Sequence, residues 1–220
     1  MAPAPPANQD SIISYLLLRK ALGWIAIAMP FALGLGAWFF EGIPWADSIS
    51  AYYYTSMRDV FVGTMFAVGV FLFCYRGRNR QDNIVTNLAG IAAAAIGLLP
   101  MDPHYSKVLT DRHRDLAGST CYVSHGFLGF HFYAAAAFFV VISYLVIFRF
   151  TKSDQPTITT AKRARNRVYV TSGVIMLVCF GAIALLKWHW KEASIVIPET
   201  GAIVAFAIAW LTKGHAILPD

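Results

Sequence analysis

Charge is what this chain has least of. Asp, Glu, Lys and Arg make up 14% of its 220 residues, where an average soluble domain carries roughly a quarter. So sparse a supply argues against a water-soluble globular domain. Cysteine is scarce too. Cys74, Cys121 and Cys179 stand at no metal or redox spacing, which leaves no disulfide framework and no cysteine metal site. They read as inert thiols in or beside a membrane. There is no Gly-rich phosphate loop, no nucleophile elbow and no HExxH zinc helix. The histidines are not spread over facing segments as a bis-histidine haem protein needs. Nothing repeats between the two halves, which argues against a transporter built on inverted repeats. A cleaved signal peptide is not expected either: Met1 to Asp10 is Ala/Pro-rich and lacks a basic start, and no small-residue cleavage site follows the first apolar run.

Hydrophobic residues are what the chain has, at 57%. Ala21 to Phe40 holds no charge at all and is long enough to cross about 30 Å of hydrocarbon. Six such runs, near 20–40, 59–76, 84–100, 123–148, 168–187 and 197–212, predict an all-α, polytopic transmembrane bundle of six spans. Residues 1–15 read as a flexible N-terminal segment, 16–214 as one six-helix transmembrane domain and 215–220 as a short tail. The first span is then a retained signal anchor.

Lys and Arg give the orientation. Arg19, Lys20, Arg76, Arg78, Arg80, Arg149, Lys152, Lys162, Arg163, Arg165, Arg167 and Lys213 fall on one side of six spans. The other side holds Arg58, Lys107, Arg112, Arg114, Lys187 and Lys191. The positive-inside rule places both termini in the cytoplasm. The net charge of +6 is what that topology requires, and it points to a lipid bilayer rather than to nucleic acid. The Lys162–Arg167 cluster also suits anionic headgroups.

Lipid gives helices no hydrophobic reason to associate, so small residues at close contacts carry the packing. Ala89, Ala93 and Gly97 predict a third span at the centre of the bundle, with little lipid exposure. Gly34 and Gly36 do similar work in the first. Pro30 should kink that span, and Asn87 should tie two helices together. Trp38, Trp45, Tyr52 to Tyr54, Trp188 and Trp190 read as an outer aromatic belt.

Polar side chains collect at the outer face. One loop runs from Asp47 to Asp59; a second, from Met101 to Tyr122, carries Asp102, His104, Asp111, His113 and Asp115. His125 and His131 follow in the fourth span, and His189, Glu192 and Glu199 surround the start of the sixth. Ionisable residues inside a membrane are costly enough to be functional candidates. Ordinary roles compete with each. Ser56 and Asp59 have capping-box spacing, and Glu199 after Pro198 suits the positive end of a helix. His125 and His131 lie about 120° apart around a helix and about 9 Å along it, so they would not hold one ion together. His125 is the better site candidate, and His131 reads as a histidine bonding a neighbouring helix.

Ser48-Ile-Ser-Ala-Tyr-Tyr, Met57-Arg-Asp-Val-Phe-Val-Gly63, Asn87-Leu-Ala-Gly90, the fourth-span start with His125, Arg165-Asn-Arg-Val-Tyr169, and Glu199 with Ala205-Phe and Trp210-Leu-Thr-Lys-Gly214 resemble a family of uncharacterised bacterial six-span membrane proteins. The likeness runs from about Trp45 to Gly214 and implies a bacterial inner membrane. The Ser-Ile-Ser stretch is also similar to the DUF998 and Frag1/DRAM/Sfk1-type membrane proteins, which implies lipid or membrane-homeostasis roles. A more distant similarity is to the membrane hydrolases that include alkaline ceramidases. Their zinc chemistry would fall here to Ser48 or Ser50, Asp59 and His125, but their last-helix HxxxH and seventh helix are missing.

Three functions follow as expectations. The first is a protein whose outward polar pocket binds a lipid headgroup or small ligand through Ser48, Ser50, Tyr53, Arg58, Asp59, His125 and Glu199. The second is a metal-assisted lipid hydrolase, with zinc or a general base at Asp59, His125 and Glu199. The third is a transporter or channel.

Overall fold

The structure, a computed structural model, describes residues 9–43, 45–102, 106, 129–153, 157–191 and 193–218, with side chains from residue 15 onward. Helices form over the apolar runs: α1 (Gln9–Glu41), α2 (Arg58–Cys74), α3 (Arg80–Leu98), α4 (Phe130–Tyr144), α5 (Thr160–His189) and α6 (Val196–Lys213). A short 3-10 helix, Ser50–Tyr54, lies between α1 and α2, and α4 continues into a π-helical turn, Leu145–Arg149. No strand occurs among the described residues. α1, α4 with its π turn, α5 and α6 are long and apolar enough to cross a membrane, and the chain is compatible with a multi-pass membrane protein.

Local chemistry sets the ends. The Asn79 side chain caps α3 by accepting the Asp82 N–H at 3.1 Å, and Thr159 caps α5 through the Lys162 N–H at 3.1 Å. α2 begins differently from the capping-box expectation. Its N-cap is Met57, and the Ser56 N–H donates to the Glu41 carboxylate instead. Thr55 takes up the turn: its hydroxyl donates to the Tyr52 carbonyl at 2.9 Å and accepts the Met57 N–H at 3.1 Å. α1 runs unbroken through Pro30.

Each helix packs on its neighbours in sequence, and α6 returns against α1, so the six close into a ring. α3 therefore sits in the wall, between α2 and α4, and not at the centre. Its outer stripe Ile84, Leu88, Ile91 and Leu98 is exposed, while Thr86, Ala89, Gly90, Ala93 and Gly97 face inward contacts. The α2–α3 contact is backbone on backbone: a Cβ on Gly90 would stand 2.9 Å from the Gly69 carbonyl oxygen. Asn87 Oδ1 is buried with no partner among the described residues.

Two features fill the ring. At one end Tyr75, Phe150, Tyr169 and Trp210 form an aromatic cluster, with Tyr75–Trp210 centroids at 5.2 Å and Phe150–Trp210 at 5.3 Å. Beside it the buried Asp82 carboxylate pairs with Arg149, tying α3 to the end of the π turn. Nearer the other end the interior is left partly open.

Candidate functional site

The open part is a cavity with about 80 Å³ of free space, lined from every helix of the ring by residues such as Met29, Met65, Ile96, Phe138, Ile183 and Ile203. About 10–15 Å³ of such space admits one water, so this one has room for several waters or a slender ligand group. Its walls are apolar apart from Thr64 on α2 and one polar cluster, where Ser50, His131 and Glu199 meet.

Glu199 stands in the first turn of α6, but it is used for more than the helix dipole. Its Oε1 accepts the Ser48 hydroxyl at 3.0 Å, and its Oε2 accepts the Ile49 N–H at 2.5 Å. The carboxylate thereby caps the 3-10 helix that begins at Ser50. The loop answers in kind: the Asp47 carbonyl accepts the N–H groups of Ile195 and Val196, at 2.7 and 2.9 Å, two of the donors that the start of α6 leaves without a helical partner. Lys187, buried at the end of α5, donates to the carbonyls of Lys191 and Ala193 and lies near enough to act electrostatically on Glu199.

His131 completes the chain of bonds. Its Nδ1 lies 2.6 Å from the Leu99 carbonyl oxygen and its Nε2 2.9 Å from Ser50 Oγ. A carbonyl can only accept, so Nδ1 carries the hydrogen; Nε2 of the neutral ring then accepts the Ser50 hydroxyl. The Ser50 N–H donates to Ser48 Oγ at 3.2 Å. Ser50 Oγ also stands 3.4 Å from Glu199 Oε1, but its single proton is already engaged. With the protons assigned in this way, the lone pairs of Ser50 Oγ and of the Glu199 carboxylate are left to receive a donor.

The sequence-selected residues separate into groups. Ser48, Ser50 and Glu199 come together. Tyr53 and Arg58 form a pair of their own, with the Arg58 guanidinium 4.7 Å from the Tyr53 ring centre and bonded to its hydroxyl at 2.9 Å. Asp59 is exposed on the first turn of α2 and lines no part of the cavity. His125 lies outside the described residues, as do His104, His113, Asp111, Asp115 and Glu192. No group of three His, Cys, Asp or Glu side chains with metal-site geometry occurs among the described residues. His131 bonds a neighbouring helix, as expected, at the end of α3, and its bond to Ser50 makes it a member of the site. Only its place in a charge-free span marks it in the sequence.

Tyr52 supports the loop from beneath. Its hydroxyl accepts the Ala46 N–H at 3.1 Å, and burial pushes the phenol above its ordinary value, opposed by that bond. Tyr54 donates to the Met101 carbonyl at 2.7 Å. The chain matches no protein-family model, no curated protein and no solved structure. No residue role carries over from a relative, and the site rests on its own geometry.

Proposed function

We propose that the chain is a six-span membrane protein, both termini cytoplasmic, whose ring holds a small amphipathic molecule or lipid headgroup with its polar end at Ser50 and Glu199. The observation that carries this is a largely apolar cavity with a polar cluster at one end, built from residues of α6, α4 and the loop after α1. An apolar body suits the walls. The polar end offers acceptors, so the ligand's head donates: a hydroxyl, an amide N–H or an ammonium group.

Six spans are supported by the outer surface. α2 exposes Val60, Phe66, Val70 and Phe73, and α3 exposes Ile84, Leu88, Ile91 and Leu98, stripes of the size that lipid covers and water does not. The cytoplasmic assignment rests on the Lys/Arg asymmetry, and the bacterial inner membrane on the resemblance of the sequence. Both put the cavity's polar end toward the outside. Conduction has less support, because the Tyr75–Phe150–Tyr169–Trp210 cluster fills the ring below the cavity.

The test is extraction and mass spectrometry of whatever co-purifies with the protein in mild detergent, beside an Ile203→Trp variant that fills the cavity. A small amphiphile carried by the wild type and lost from a folded variant is expected. A wild type that carries none, and is not stabilised by long-chain alcohols or amines, would sink the reading.

A second reading, ester or amide hydrolysis, has one observation in its favour: Ser50 Oγ and His131 Nε2 stand at 2.9 Å, the reach of a nucleophile from its base. Ser50 would attack the acyl carbonyl while His131 takes its proton and returns it to the leaving alcohol or amine; water would then release the acid. The metal-assisted route has less support, since Asp59 lies apart from Glu199. Fluorophosphonate labelling of Ser50, absent in Ser50→Ala and reduced in His131→Gln, is the expected signature. An unlabelled wild type would count against it.

A further inference from the structure

The opposite end of the ring carries a second pocket, of about 150 Å³, lined by Arg78, Asn79, Asp82, Arg149 and Lys152. It lies at the amino end of α3, whose cap is Asn79. Three cations and one carboxylate face it. Both oxygens of that carboxylate are engaged: one takes the Arg149 Nε–H and the other the Arg78 backbone N–H, at 2.8 Å. Arg149 also donates from Nη2 to Asn79 Oδ1 at 2.7 Å. The guanidinium is thus fixed in a buried position, 5% exposed, with two of its donor atoms used and its charge balanced by Asp82.

More positive charge surrounds this pocket. Lys213 feels Coulombic repulsion from Arg19, Lys162 and Arg78, and attraction from Asp82. Arg19 donates to the Lys213 carbonyl at 3.3 Å, and Lys162 to the Phe150 carbonyl at 2.8 Å. Every described group that faces the pocket is therefore cationic, neutral, or already committed to a cation. Like charges gathered this closely are held at a cost that a bound anion removes. Arg149 has used Nε and Nη2 but not Nη1, which suits a tetrahedral oxyanion, and Arg78 and Lys152 add positive charge to the lining.

We propose that this pocket binds a phosphate group, brought either by the headgroup of an anionic lipid or by a free phosphate. With the topology argued above it faces the leaflet where such lipids attract basic pockets between spans. The inference does not rest on the cavity at Ser50 or on its ligand.

The test uses the full chain in detergent and in nanodiscs. One arm titrates inorganic phosphate against sodium chloride at equal ionic strength and reads thermal stability. The other compares phosphatidylcholine nanodiscs with ones containing phosphatidic acid or phosphatidylglycerol, and reads lipid retention by native mass spectrometry. Arg78→Gln with Lys152→Gln spares the Asp82–Arg149 pair, so folding is kept; Arg167→Gln, on the exposed face of α5, is the control for general surface charge. Two cations at roughly fivefold each give about twenty-five-fold weaker binding in the double variant. Stabilisation by phosphate assigns a free anion; retention of anionic lipid without a phosphate effect assigns a headgroup. No effect in either arm, or an equal loss in Arg167→Gln, overturns the proposal.

Discussion

Replacing Glu199 by alanine tests how the site is held together. Its carboxylate is the acceptor for the Ile49 N–H and the Ser48 hydroxyl, and these residues are 2% and 0% exposed. In the variant both donors stay buried with nothing to receive them. Each unsatisfied buried donor costs about 1–3 kcal/mol, more for a bond to a charged acceptor, so the loss should reach about 3–5 kcal/mol. At the sensitivity of a chain of this size, that is on the order of 10 °C in midpoint. Glu199→Gln should fall between: its amide oxygen still accepts one donor, but its NH2 faces the other. Ser50→Ala leaves the Glu199 bonds in place and removes only the donor to His131, so about 1 kcal/mol is expected. Tryptophan-fluorescence melting of the detergent-solubilised protein reads all three. If Glu199→Ala melts within about 2 °C of the wild type, the carboxylate is not what holds the loop to α6.

Three further outcomes follow from the packing. Gly90→Leu places a Cβ 2.9 Å from the Gly69 carbonyl oxygen and must part α2 from α3; a loss of about 3 kcal/mol or more should show as a collapsed monodisperse peak in size-exclusion chromatography, whereas a well-behaved variant would contradict the close crossing. Asp82→Asn and Arg149→Met should each cost about 3–5 kcal/mol by stranding the other member of a buried pair, while Asp82→Leu with Arg149→Met recovers most of it; additive losses would show the two groups are not coupled. Cys74 is exposed at the end of α2, so with Cys121 and Cys179 replaced by serine it should react with a membrane-impermeant maleimide only after cells are opened. Labelling of intact cells would reverse the orientation.

Much of the fold was legible because a helix in lipid is specified locally. A charge-free run of about 20 residues spans hydrocarbon whatever it packs against, and the helices form over the six runs read from the sequence. The clustering of Ser48, Ser50 and Glu199 was only half legible. The sequence marks them as polar groups near one face, yet it does not distinguish Glu199, drawn in by the loop, from Asp59, left exposed at the start of α2. Which carboxylate turns inward depends on the path of a loop between helices. The Asp82–Arg149 pair was hidden for another reason. A π turn shifts the register at the end of α4, where Phe150 N–H bonds the Leu145 carbonyl at 3.0 Å, and no 3.6-residue pattern anticipates which side of the helix Arg149 then takes.

Composition and charge alone determined that the chain is helical and apolar enough for a bilayer, because those properties follow from segments taken one at a time. The tertiary structure decided that the helices close into a ring, that α3 stands in its wall, and that the interior is filled by aromatic rings at one end and left open beside Ser50, His131 and Glu199 at the other. Those outcomes depend on contacts between residues far apart in the chain, such as Gly69 with Gly90 and Glu199 with Ile49, whose partners no local pattern names.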